Sequence, residues 1–297
     1  MSNLILFGAG ASYGSDTAGT PPLGTALFDA LRRFDPEGWG GLDYSLASQF
    51  ETDFEAGMVS VAESNPHALP ILQRRMAIYF FQFKVKPTNL YAQLATRIRE
   101  KGWNGALATL NYERFLEQSL LNLGLLSYGP TNSSQVEVCL PHGCCHLFCE
   151  NVFGRSDAVS FAGQNVTTNG PVVAIRDAGE FFYQISTNAF PPVMSYFEPQ
   201  KRTTSGASFI ESQRNRWASL CDAADVIGVV GVQPRIHDSH IWGPLSATKA
   251  TIVYCSGAAG ATAFNAWRSD CHRTRPDTIL PGYFSQEFDE LCRLLAL

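Results

Sequence analysis

The chain opens on a short apolar run, LILF at 4–7, which gives way at once to small residues, GAGASYGS. In the following TPPLGTALFDALRRF, residues Leu23, Ala26, Leu27, Ala30, Leu31 and Phe34 recur at helical spacing and define one apolar face. Pro21 and Pro22 precede it, where proline suits a helix start. The opening therefore predicts strand, glycine-rich turn, helix. Residues 36–63, rich in Gly, Asp, Ser and aromatics, read as an irregular insertion with short helices. A helix is predicted over 70–84. A clearer one follows in TNLYAQLATRIREKG, with Leu90, Leu94 and Ile98 on one side, Thr88 or Asn89 as cap and Gly102 as terminator. NGALATLNYE reads as a second strand running into a helix at 114–123.

Residues 139–200 carry the weakest pattern, with strand-like pieces such as GPVVAI. Periodicity returns with a helix at 209–224 bearing Trp217 and Leu220. The strands DVIGVVGV and ATIVYCS follow, then the amphipathic SQEFDELCRLLAL with Ser285 at its cap position. Helices alternating with continuously apolar strands predict an α/β fold, a parallel sheet covered by helices on both faces.

Composition narrows the function. The 297 residues, 45% hydrophobic, suffice for one large domain, and a net charge of −5 speaks against a dedicated nucleic-acid binder. The longest apolar run, VIGVVGV, is far short of a membrane span, and the opening residues lack a basic, cleavable leader. The expectation is a cytoplasmic protein without membrane contact. Four of the eight cysteines crowd together at Cys139, Cys144, Cys145 and Cys149, with His142 and His146 among them. Structural zinc favours two separated cysteine pairs, and no second pair follows, so buried thiols and no metal are expected.

The first loop carries the candidate chemistry. Gly8 and Gly10 after a first strand allow close backbone approach to a phosphate, and neighbouring N–H groups can face the anion. Tyr13 stands where the dinucleotide fingerprint wants a third glycine, so a ligand-free tight turn and a nucleotide loop both remain open. ALATLNYERFLE places Asn111 at the end of the second strand, where a helix cap is the ordinary alternative. CLPHGCC places His142 beside a glycine, and the strand ending at Gly231 is followed by Asp238.

In this order, GAGAS, T-L-N-Y-E, His-Gly, and A-D-V-I-G followed by Asp, the chain resembles the SIR2-like domain of bacterial anti-phage defence proteins, relatives of the sirtuins. The resemblance spans residues 4–242. It implies a Rossmann-like NAD-binding sheet with a smaller inserted, mostly irregular or helical module, made of insertions at about 36–88 and about 143–200. The second would replace the sirtuin zinc module. The whole chain, 1–297, would be one such domain. It further implies Asn111 and His142 as catalytic residues, Gly8, Ala9, Gly10 and Ser12 at the pyrophosphate of NAD+, and Gly231 and Asp238 at the cofactor. Glu113 stands where the family more often has Asp. Val232-Gln233 and Cys255-Ser256 depart from the sirtuin pattern at the adenosine half.

The implied activity is NAD+ hydrolysis to nicotinamide and ADP-ribose, depleting NAD during infection. Control would come from homo-oligomer assembly or a partner protein, with 36–63 and 151–169 as contact surfaces. A deacylase, an ADP-ribosyltransferase and a non-catalytic NAD or ADP-ribose sensor remain as alternatives.

Overall fold

The computed structural model describes residues 2–131, 134–150, 168–196, 203–235 and 237–297. The chain begins with β1 (Asn3–Phe7) and α1 (Ala9–Tyr13), then four helices: α2 (Thr25–Phe34), α3 (Tyr44–Thr52), α4 (Phe54–Ser64) and α5 (Ala68–Phe81). Next come α6 (Leu90–Lys101), β2 (Ala106–Thr109), α7 (Phe115–Asn122), β3 (Leu126–Ser127) and β4 (Val136–Cys139). A hairpin, β5 (Leu147–Cys149) with β6 (Val172–Ala174), leads to α8 (Ala178–Thr187) and α9 (Ala207–Ala223). The remainder is β7 (Val226–Val230), α10 (Ser239–Ala247), β8 (Thr251–Cys255), α11 (Gly257–Asp270), β9 (Thr278–Leu280) and α12 (Phe284–Leu294). Among the described residues no helix is long and apolar enough to cross a membrane.

Two compact units result. The first comprises Met1–Pro21, Phe83–Pro141 and Ser212–Leu297, the second Pro22–Gln82 and His142–Glu211. The first unit holds a seven-stranded sheet in the order β3-β4-β2-β1-β7-β8-β9, with every neighbouring pair parallel. Successive side chains of a strand point to opposite faces. Leu4 and Leu6 of β1 pack with Ile227, Ile252, Trp217, Ile241 and Phe264 in one apolar layer. Phe7 turns the other way, its ring 5.1 Å from Tyr91 of α6 and 5.8 Å from Phe284 of α12. Helices thus cover both faces of the sheet, as the alternation of helices and apolar strands predicts.

Local chemistry sets the helix ends. Asn89, rather than Thr88, caps α6 by accepting from the Tyr91 N–H at 2.9 Å, and Gly102 ends it in the left-handed region at φ +58°. Ser285 is not the cap of α12, which starts one residue earlier. Instead Gln286 and Glu287 reach back to the N–H groups of Tyr283 and Gly282, each at 2.8 Å. On α2 the buried stripe is Leu27, Phe28 and Leu31, while Ala26 faces solvent. The larger Phe28 ring displaces the alanines from the core.

The second unit is built on rings. Phe28 stacks on Phe50 at 4.8 Å, and Trp39, fully buried, meets Phe28, Phe50 and Phe54 at 6.4, 5.5 and 5.8 Å. The Trp39 indole N–H donates to Leu72 O at 3.3 Å. The 36–63 insertion contributes α3 and α4 to this cluster. Within 143–200, besides the GPVVAI strand, lies a regular helix, α8, that the sequence pattern does not reveal. Phe181 of α8 stacks on Phe81 of α5 at 3.7 Å.

Candidate functional site

The strand order reverses between β1 and β7, and in open parallel sheets ligands bind outside the carboxyl ends at that reversal. Gly8 follows β1 and Gly231 follows β7, so two candidate glycines sit there. Their first role is packing. A Cβ on Gly8 would lie 2.7 Å from Gly231 O, and one on Gly231, which has φ +67°, would lie 2.0 Å from Ala11 N. The Gly8 N–H donates to Val230 O at 2.9 Å and the Gly10 N–H to Gly231 O at 3.0 Å, while Ala11 N donates to Gly8 O at 2.9 Å. These three N–H groups are therefore paired within the protein. Residues 9–13 coil into α1, leaving Ala9 exposed and Gly10 half-buried.

Asn111 lies two residues beyond β2. It does not cap α7, which starts at Phe115 after Arg114. Its side chain points to the first loop: Nδ2 donates to Gly8 O at 3.1 Å, to Ser12 Oγ at 2.8 Å and, at longer range, to Tyr91 OH at 3.4 Å. Ser12 is fully buried and passes the chain on, donating to Glu113 Oε1 at 2.7 Å, with Tyr91 OH 3.0 Å from its Oγ. A buried polar network of Asn111, Ser12, Tyr91 and Glu113 thus fixes the amide at the sheet rim. Burial pushes the Glu113 carboxyl up to about 7, the Ser12 hydrogen bond opposes this, and nearby Glu117 adds to it. Burial also pushes the Tyr91 phenol well above its usual range, with Glu113 contributing.

Tyr91, Glu117 and Arg214 escape sequence reasoning. Tyr91 falls on an apolar helix stripe and reads as core. Arg214 of α9 places Nε 3.4 Å from Pro141 O, beyond β4, and its guanidinium feels Tyr112 and Asp238. Asp238 itself is buried at the start of α10, its backbone carbonyl accepting from Ile241 and Trp242 at 2.9 Å. At the adenosine-side positions, Tyr254 OH donates to Val232 O at 2.7 Å. Cys255 is buried with its thiol pushed up to about 12 by burial.

His142 opens the second segment of the other unit. It is buried, its carbonyl accepts from Ser195 N at 2.8 Å, and Gly143, at φ +73°, forms an antiparallel bridge with Met194. A Cβ at Gly143 would lie 2.0 Å from Val193 O, so only glycine allows that bridge. All eight cysteines are thiols. Cys139 donates to Gln213 O at 3.1 Å, and Cys149 accepts from Ser205 Oγ at 3.4 Å.

No sequence family matches the chain, and no curated protein matches it in sequence. Solved structures do. A Sir2 homologue in complex with NAD superimposes with TM-score 0.52 at 15% identity, over 99% of this chain and 89% of that one. Two mutants of a Sir2 homologue in complex with ADP-ribose each give TM-score 0.51, at 15% and 14% identity, over 99% of this chain and 92% of theirs. The fold is that of the Sir2 homologues. The Rossmann-like parallel sheet with its surrounding helices belongs to that likeness.

Proposed function

We propose that the chain is an NAD+ glycohydrolase, releasing nicotinamide and ADP-ribose. The observation that carries this reading is the buried Asn111 amide, tied to Gly8 and Ser12 at the strand-order reversal. A solved Sir2 homologue of this fold holds NAD. In the reaction the bond between ribose C1′ and the nicotinamide nitrogen breaks, the electron pair leaving with nicotinamide. A water oxygen bonds to C1′ and gives up a proton. The transition state is oxocarbenium-like, so fixed dipoles and positioning do most of the work. Asn111 orients the ribose hydroxyls or the water, and His142 accepts the proton, as an imidazole does near neutral pH. Ala9, Gly10, Gly231 and Asp238 belong to the cofactor side, with Gly8 and Ser12 acting from behind through the packing and hydrogen bonds described above. The biological role that accompanies this reading is NAD depletion in anti-phage defence, controlled by self-assembly or a partner protein.

A second reading, an NAD or ADP-ribose sensor, draws on the internally paired N–H groups of Gly8 and Gly10. Turnover of NAD+ by the purified chain, with product analysis, separates the two. Nicotinamide and ADP-ribose in equal amounts, falling at least 100-fold in Asn111→Ala and in His142→Ala, support the hydrolase. NAD bound unchanged by wild type and by both variants favours the sensor. Product formation only with an acylated peptide present would move the assignment to deacylase.

A further inference from the structure

Three metal-ligating side chains that the NAD chemistry does not use converge in the second unit. Cys144, Cys145 and His146 are consecutive and buried, and their donor atoms all lie within 4.8 Å of one another. His146 Nδ1 is 3.1 Å from Cys144 Sγ. The backbone holds this arrangement. Leu147 N donates to Cys144 O at 3.2 Å, closing a turn with Cys145 and His146 at its corners. Cys144 N donates to Val193 O at 3.0 Å and Ile175 N to His146 O at 2.9 Å, tying both ends of the turn to neighbouring segments. The neighbouring thiols are engaged elsewhere, Cys149 with Ser205 and Cys139 with Gln213 O.

We propose that Cys144, Cys145 and His146 hold a zinc ion. Thiolate and imidazole are soft to borderline donors, the set that selects zinc over magnesium or calcium. Charge decides between thiophilic cations. Two thiolates and a neutral imidazole cancel a divalent ion, whereas a monovalent one would leave net negative charge in a buried place, at high desolvation cost. On binding, two S–H protons leave to solvent and two Zn–S bonds and one Zn–Nδ1 bond form, with no change of oxidation state. Zn–S bonds of about 2.3 Å and a Zn–N bond of about 2.0–2.1 Å in tetrahedral geometry require donors roughly 3.5–3.8 Å apart. That falls inside the observed span. As in other three-ligand sites, the fourth position is for a small ligand such as water.

This set differs from the two separated cysteine pairs that structural zinc favours: it has two thiols and one imidazole on three successive residues. It also follows His142 and Gly143 directly, in the segment bridged to Met194. Zinc here fastens the backbone that carries His142, whatever reaction that histidine serves.

The test is metal analysis of the untagged full chain, purified from zinc-replete medium without chelator. One zinc per chain is expected, with a zinc-edge absorption spectrum that fits two sulfur neighbours. Cys145→Ser and His146→Ala should each retain under a tenth of that zinc, and Cys149→Ser all of it. Because a buried-site variant can misfold, the metal-free wild type is also titrated with Zn2+, and uptake of one equivalent with release of two protons is expected. Zinc below a tenth per chain together with no uptake in the titration would overturn the proposal. So would full zinc retention in Cys145→Ser and His146→Ala.

Discussion

At the sheet rim, Gly8, Gly10 and Gly231 bring two backbones together where no side chain fits, and a polar network locks the result. In the second unit, Phe28, Trp39, Phe50 and Phe54 do the reverse, filling space with rings. The aromatic cluster draws its stability from buried apolar area, so it is vulnerable to loss of atoms. The rim glycines have no side-chain atoms to lose and are vulnerable to gaining them. A candidate ligand site is better served by the second kind of construction, since groups held by close backbone contact and hydrogen bonds move little.

The largest effect should come from Trp39→Ala, which removes a fully buried indole and its bond to Leu72. A loss of about 3–5 kcal/mol is expected in denaturant unfolding. Gly231→Ala adds one methyl group, yet it must face Ala11 N from a positive-φ position. About 2–3 kcal/mol of destabilisation is expected, with NAD affinity falling as well. A Gly231→Ala chain as stable as wild type would break the contrast between the two regions.

Third in size is a pH effect centred on Glu113. Its carboxyl titrates at about 7 when folded and at the ordinary 4.5 when unfolded, so the folded chain binds the proton more tightly. Its contribution is complete below pH 4.5 and is lost as pH rises to about 7. Glu113→Gln should therefore flatten the fall in stability between pH 5 and 8, a difference of roughly 2 kcal/mol. An unchanged slope in thermal melts across that range would remove Glu113 as its source. Tyr91→Phe, which deletes one hydroxyl from the network, is expected to cost only about 1 kcal/mol.

The same contrast explains what the sequence makes legible. Strands β1, β2, β7 and β8 are buried on both faces, and their continuous apolar runs announce them. Strands β3 and β9 are two and three residues long, too short for any period to register, and Glu137 interrupts the apolar run of β4. Helix α8 hides because it buries only Phe181 and Ile185 and exposes Phe182 and Tyr183. At the site, Asn111 is visible as a polar residue ending a strand. Its bonds to Ser12 and Tyr91 are not, because those residues are far away in sequence and meet it only through tertiary packing. The glycines are visible as glycines, but that Gly231 is what Gly8 and Gly10 accommodate depends on β1 and β7 being neighbours.

That adjacency sets the order in which the molecule can assemble. Leu4 pairs with Ala106 on one side and with Ile227 on the other. During synthesis β1 emerges first and then waits: its second neighbour does not exist until residues near the end of α9 have been made. The sheet's middle is thus among its last parts to close, and long-range parallel pairing of this kind is slow and leaves apolar edges exposed meanwhile. A nascent chain halted before Val226 should remain protease-sensitive around β1, and should become resistant only once β7 has cleared the ribosome.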